Sequence, residues 1–194
     1  MLLKIESIME SVVDVVGKIT SILLLLMIFN VFFDVVMRYF FRNSSMGMQE
    51  MEWHLFSVVI LFGVSVALKD EGHVRVDFIY ERYSIRKKAM INILGTIFFL
   101  IPLALLVATG SIDYVMDSYN INEISEDPGG LTHRWIIKAM IPFSFVFLIF
   151  SAVGYVIKNM NIYRGVIKGG GVGFASPAEY LPPGDDNRHD GGAK

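Results

Sequence analysis

The chain contains no cysteine. That absence excludes disulfides, thiolate metal sites and a cysteine nucleophile. Charge is also scarce. Asp, Glu, Lys and Arg make up 19% of the 194 residues, where a soluble domain carries about 25%. The net charge of -2 lacks the basic excess that nucleic acid requires of a partner. The start of the chain does not read as a cleavable leader either. Met1 to Asp14 carries Glu6, Glu10 and Asp14 beside a single Lys4, and no small-residue cleavage site follows a short apolar core. The first apolar run is therefore expected to stay in the mature chain.

What the chain has instead is hydrophobicity in blocks. Hydrophobic residues make up 54% and aromatics 13%, and mean hydropathy is +0.53. A bilayer core of about 30 Å needs about 20 helical residues. Four runs meet that length, at about 17–41, 48–68, 85–116 and 132–157. The expected fold is an all-α integral membrane protein of four transmembrane helices with short amphipathic interfacial helix segments. Residues 17–158 form the expected membrane domain. Before it, Ile5, Ile8, Met9, Val12, Val13 and Val16 recur at helical spacing, so residues 1–16 read as an amphipathic helix. It either lies in the interface or against a partner, or simply extends the first span. After it, residues 169–194 are rich in Gly, Pro and Asp and read as a disordered tail.

An even number of spans puts both termini on one side. That side collects thirteen basic residues, six of them between Lys69 and Lys88, and the other side collects Arg38, Arg42, Arg134 and Lys138. The positive-inside rule then places both termini in the cytoplasm. The acidic loop from Tyr119 to Asp127 faces outward, and Asp127-Pro128-Gly129-Gly130 is a turn signal within its end.

Polar residues gather at the span ends. Asn30, Asp34 and Arg38 fall four apart and form one stripe on the first span. Asp34 lies about 22 Å beyond Ile19, off-centre in the bilayer. A charge there should face other helices or water. Gln49, Glu50, Glu52 and Trp53 open the second span. Glu50 and Glu52 either complement the helix dipole or join the Asp34 cluster. Gly63, Ser65 and Ala67 are small enough for close packing. Pro102 is expected to kink the third span, and Ser84 to cap it. His73, Arg75, Asp77, Arg82 and Arg86 belong to the basic connection, as an anchoring network or as an ordinary solvated loop. Glu123, Glu126, Asp127 and Arg134 mark a candidate outward docking loop. The four histidines are His54, His73, His133 and His189. They place no pair at mid-membrane for a haem. No cofactor, metal site or enzymatic activity is expected.

Several of these pieces together resemble a known family. Arg38-Tyr39-Phe40, Gly47-Met48-Gln49-Glu50 with Trp53, Gly63, Gly72-His73-Val74-Arg75-Val76-Asp77 with Tyr80, Gly95, Pro102, Asp127-Pro128-Gly129-Gly130-Leu131, Arg134-Trp135, Lys138 and Ile141-Pro142 stand in order at successive span ends. The pattern is similar to the small integral-membrane (Q-type) subunit of tripartite ATP-independent periplasmic (TRAP) transporters, nearest the branch labelled mannitol or chloroaromatic compound. The resemblance implies a non-catalytic subunit of the bacterial inner membrane. It implies a stable complex with a large elevator-type membrane subunit, sodium coupling, and a transient periplasmic binding protein that delivers an organic acid. Membrane lipids are the remaining partner, and nucleic acid is not one. Two other readings stay open: a self-standing oligomeric transporter using Asp34, and a membrane anchor of a redox enzyme.

Overall fold

A computed structural model describes residues 2–43, 45–70 and 83–165. These residues are helical apart from their connections, and four helices are long and apolar enough to cross a membrane. They are α1 (Leu2–Phe40), α2 (Met46–Lys69), α3 (Ile85–Asn120) and α4 (Trp135–Tyr163). His73, Arg75, Asp77, Arg82 and the tail at 169–194 lie outside the described residues.

The helix α1 runs unbroken for 39 residues, about 58 Å at the usual rise. The segment before Gly17 is thus continuous with the first span. Only part of its apolar stripe turns inward. Met9 and Val13 are buried, whereas Ile8 and Val12 are exposed. Glu6 shares the buried face, where its carboxylate accepts a hydrogen bond from the Asn161 amide. Glu10 pairs with Lys158 at 3.5 Å and Asp14 pairs with Lys69. Acids at four-residue spacing therefore fasten one face of α1 to α4 and α2.

After Phe40 the chain reverses. Arg42 takes a left-handed φ of 52°, and the Asn43 N–H reaches back to the Met37 carbonyl at 3.1 Å. The helices α1 and α2 then pack antiparallel. At one end the Asn30 amide donates to the Met48 carbonyl at 2.9 Å. At the other, Gly17 lies so close to Val66 that an added Cβ would touch it at 3.4 Å.

The most embedded helix is α4, which packs against each of the other three, while α3 lies chiefly on α4. Leu68, Ala104, Leu148, Ala152 and Tyr155 form the core. Lipid is as apolar as these side chains, so close packing rather than escape from water holds the helices together. Small residues allow that approach. Ser151 Oγ donates to the Ser65 carbonyl at 3.0 Å, and both serines are buried. Gly63 is not part of this contact, since a Cβ there would meet nothing within 4 Å.

In α3, Thr96–Leu100 forms a π-turn just before Pro102. Proline has no N–H to donate and its ring crowds the preceding turn, and the wider turn absorbs both. Ser84 stands at the amino-terminal boundary of α3, but its side chain makes no capping bond. The last helix starts at Trp135, three residues after the position expected from hydropathy. Residues 130–134 are held instead in the loop that follows α3.

Candidate functional site

The ends of α1 and α3 and the starts of α2 and α4 lie together, and we call this the loop end. The third helix closes there in a Schellman motif. The Glu123 N–H donates to the Ser118 carbonyl at 3.0 Å, the Asn122 N–H to the Tyr119 carbonyl at 3.1 Å, and Asn122 has a φ of 47°. Asparagine tolerates this left-handed position better than most residues. The chain then doubles back. The Ser125 N–H donates to the Leu131 carbonyl and the Arg134 N–H to the Glu123 carbonyl, both at 3.1 Å. The tip is a turn closed by the Gly130 N–H on the Asp127 carbonyl at 3.0 Å, with Pro128 second and Gly129 third at a φ of 82°. Pro followed by a positive-φ Gly is the composition of a type II turn.

This loop is wrapped around one carboxylate. Glu50, at the start of the second turn of α2, accepts from the Ser125 hydroxyl on one oxygen and from the Leu131 N–H on the other. Gly130 forms the floor. A Cβ placed there would fall inside the Ser125 side chain and lie 2.8 Å from Glu50 Oε2. Gly47 is close from the other side, because its Cβ would meet the Gly129 carbonyl oxygen at 3.3 Å. The Gly-Met-Gln-Glu start of α2 and the Asp-Pro-Gly-Gly-Leu loop are therefore two halves of a single clasp.

A second lock lies alongside. Lys138, one turn into α4, pairs with Glu123 and sits 4.1 Å from the Tyr114 ring centroid. The Lys138 ammonium holds the Glu123 carboxyl below its ordinary range. Tyr119 and Trp135 meet edge to face at 5.3 Å.

The polar stripe on α1 separates into three tasks. Asn30 is committed to Met48. Arg38 pairs with Asp34 through Oδ2, while Oδ1 is buried with no hydrogen-bond partner among the described residues. Glu52 lies within electrostatic range of Asp34 and Arg38. So Glu50 and Glu52, two residues apart, face different neighbours: Glu50 the loop, Glu52 the Asp34–Arg38 pair. Gln49 is half-buried and Trp53 is 69% exposed. In the loop, Glu126 and Asp127 are exposed, and Arg134 lies within electrostatic range of Glu50, His54 and Glu123. Arg86 is exposed at the start of α3.

Ser125, Gly130 and Leu131 were not among the residues that the sequence marked for a site. A faint signal for them exists: a type II turn needs only one glycine, so the second glycine of Asp127-Pro128-Gly129-Gly130 implies a close approach.

Chemically, this arrangement closes rather than opens. The Glu50, Glu123 and Asp34 carboxylates are bound by donors from the same chain. At the opposite end of the bundle the Asn92 amide, near the start of α3, bonds the Asn159 side chain, near the end of α4, at 2.9 Å. Residues 27–161, more than two thirds of the chain, match the signature of the family described as "Tripartite ATP-independent periplasmic transporters, DctQ component". No curated protein matches the chain.

Proposed function

This chain belongs to the DctQ-component family of TRAP transporters, and on that premise we propose that it is the static scaffold on which the large subunit of its transporter moves. The chain is the small membrane subunit of a tripartite transporter that also has DctM and DctP components, it is a non-catalytic transport component, and it is a multi-pass protein of the inner membrane.

Both termini lie in the cytoplasm and the loop end faces the periplasm. The large elevator-type subunit carries the sodium and substrate sites. An organic acid arrives on the periplasmic binding protein, for which the exposed Glu126 and Asp127 beside the clasp offer an acidic contact. Residues 17–158 are the membrane domain. His73, Arg75, Asp77, Arg82 and Arg86 anchor the connection between α2 and α3 at the cytoplasmic interface. The mannitol or chloroaromatic branch is the nearest sequence type.

The observation that carries the scaffold reading is the clasp. Glu50, Asp34, Glu123 and Lys138 each bind within the chain, and the core of the bundle beyond them is apolar. A subunit that moves an ion needs a polar group it can release. These charges are held, which suits a part that stays still.

The test is recovery of the tagged chain from native membranes in mild detergent, with mass spectrometry of what accompanies it. A near-stoichiometric, many-span DctM-type protein is the expected companion. Recovery of the chain alone, in detergents that preserve other complexes, overturns the scaffold reading. It would instead favour a self-standing transporter working through the buried Asp34, whose Oδ1 has no partner among the described residues.

A further inference from the structure

One helix of the bundle presents a charge at membrane depth that nothing among the described residues answers. Ala104, Ala108 and Ser118 bury one face of α3, which packs on α4. At about 100° per residue, Asp113 stands on the opposite side of the helix. Leu106, Thr109, Gly110, Asp113 and Met116 share this outer face and all are exposed. A Cβ at Gly110 would meet nothing within 4 Å. Among the described residues Asp113 makes no ion pair. The nearby cation on α4, Lys138, is committed to Glu123 and the Tyr114 ring.

Depth makes this placement informative. Tyr and Trp are enriched at the membrane–water boundary, and Tyr119 and Trp135, in contact at the loop end, suit that level. Asp113 precedes Tyr119 by six residues on the same helix, so it lies about 9 Å nearer the bilayer centre. A carboxylate at that depth, turned away from its own bundle, is unfavourable against acyl chains.

We propose that this outer face of α3 docks on the large, DctM-type membrane subunit, with a lysine or arginine of that subunit set against Asp113. The inference rests on the scaffold reading above and adds the face and the chemistry of contact. Other occupants fit less well. Lipid phosphates carry the same sign of charge as Asp113. A second copy of the chain, packed through this same face by a two-fold axis, offers Asp113 no cation, because Leu106, Thr109, Gly110 and Met116 are uncharged. A soluble binding protein lies in water beyond the Tyr119–Trp135 level. A partner helix with a cation meets the charge, and Thr109 and Gly110 allow its backbone to approach closely.

The natural absence of cysteine makes the test direct. Gly110→Cys and Met116→Cys place a thiol on this face, and Phe29→Cys places one on the exposed side of α1. Each variant is co-expressed with the large subunit, labelled in membranes with benzophenone maleimide and irradiated, and adducts are identified by mass. The expected result is an adduct with the large subunit from Gly110→Cys and Met116→Cys, and none from Phe29→Cys. Asp113→Lys should lower the co-purified large subunit by about tenfold or more, the scale of a desolvated charge pair broken at an interface. Asp113→Glu should retain it. Circular dichroism of both variants reads their helix content, so that loss of partner is separated from loss of fold.

Adducts arising only from Phe29→Cys, adducts joining two copies of the chain at Met116→Cys, or full recovery of the large subunit with Asp113→Lys would each overturn the proposal. If the unsubstituted chain brings down no large subunit at all, the scaffold reading itself fails and this face falls with it.

Discussion

Replacing Gly130 with alanine tests whether the loop is held by the carboxylate it surrounds. The new methyl group would collide with the Ser125 side chain and lie 2.8 Å from Glu50 Oε2. Neither neighbour can retreat without losing a bond, because Ser125 donates to Glu50 and Glu50 also accepts from Leu131. Overpacking of this kind costs roughly 1–3 kcal/mol. Gly129→Ala is the matched control. It forces alanine to a φ of 82° but into open space, so it carries only the left-handed penalty of roughly 1–2 kcal/mol. The two differ in their coupling to Ser125. In a double-mutant cycle, Ser125→Gly should partly rescue Gly130→Ala, since it removes the atoms struck, and should be additive with Gly129→Ala. The assay is thermal unfolding in detergent followed by tryptophan fluorescence, which senses Trp135 beside the loop and Trp53 in the second turn of α2. Additive behaviour of Gly130→Ala with Ser125→Gly, or an unchanged transition in Gly130→Ala, would refute the clasp as a source of stability.

Three further outcomes follow from the same contacts. Glu123 has its carboxyl held below the ordinary range by Lys138, so its stabilising contribution is complete above the unfolded-state pKa and is lost as pH falls through the lower folded-state value; Lys138→Met should flatten acid-side unfolding curves, and an unchanged curve would count against the pair. Glu6 is buried on Asn161, so Asn161→Ala should destabilise by roughly 1–3 kcal/mol by orphaning the carboxylate, while Glu6→Gln keeps a neutral contact and should unfold within about 1 kcal/mol of the parent chain in the same assay. Asp34→Asn should lower the yield of transporter complex in size-exclusion chromatography before it alters substrate affinity, and lost uptake with normal assembly would point to a transport role for that residue.

The four helices were legible because apolar blocks of membrane length leave few alternatives, and Asp127-Pro128-Gly129-Gly130 declared its turn. The partners of the polar residues were less legible. Glu50 and Glu52 share a charge and a helix end, and composition gives them one role. The structure separates them by facing, since residues two apart on a helix point about 200° apart. The bonds from Glu50 reach 75 and 81 residues along the chain, a separation that no local spacing rule encodes. The amino-terminal stripe carries the same lesson on a smaller scale. Its apolar residues outnumber the places available against α2 and α4, so Ile8 and Val12 face outward while Glu6 takes an inner position.

The clasp also bears on the order in which the protein is made. Glu50 leaves the ribosome long before its partners, and Leu131 follows 81 residues later, about 4–16 s at ordinary synthesis rates. Through that interval the first hairpin can be in the membrane, but its carboxylate must be hydrated at the surface. When the second hairpin inserts, the loop excludes that water and its own donors take over. The bond therefore forms only after the loop beyond α3 has been made, and a single side chain reports that synthesis has passed Leu131.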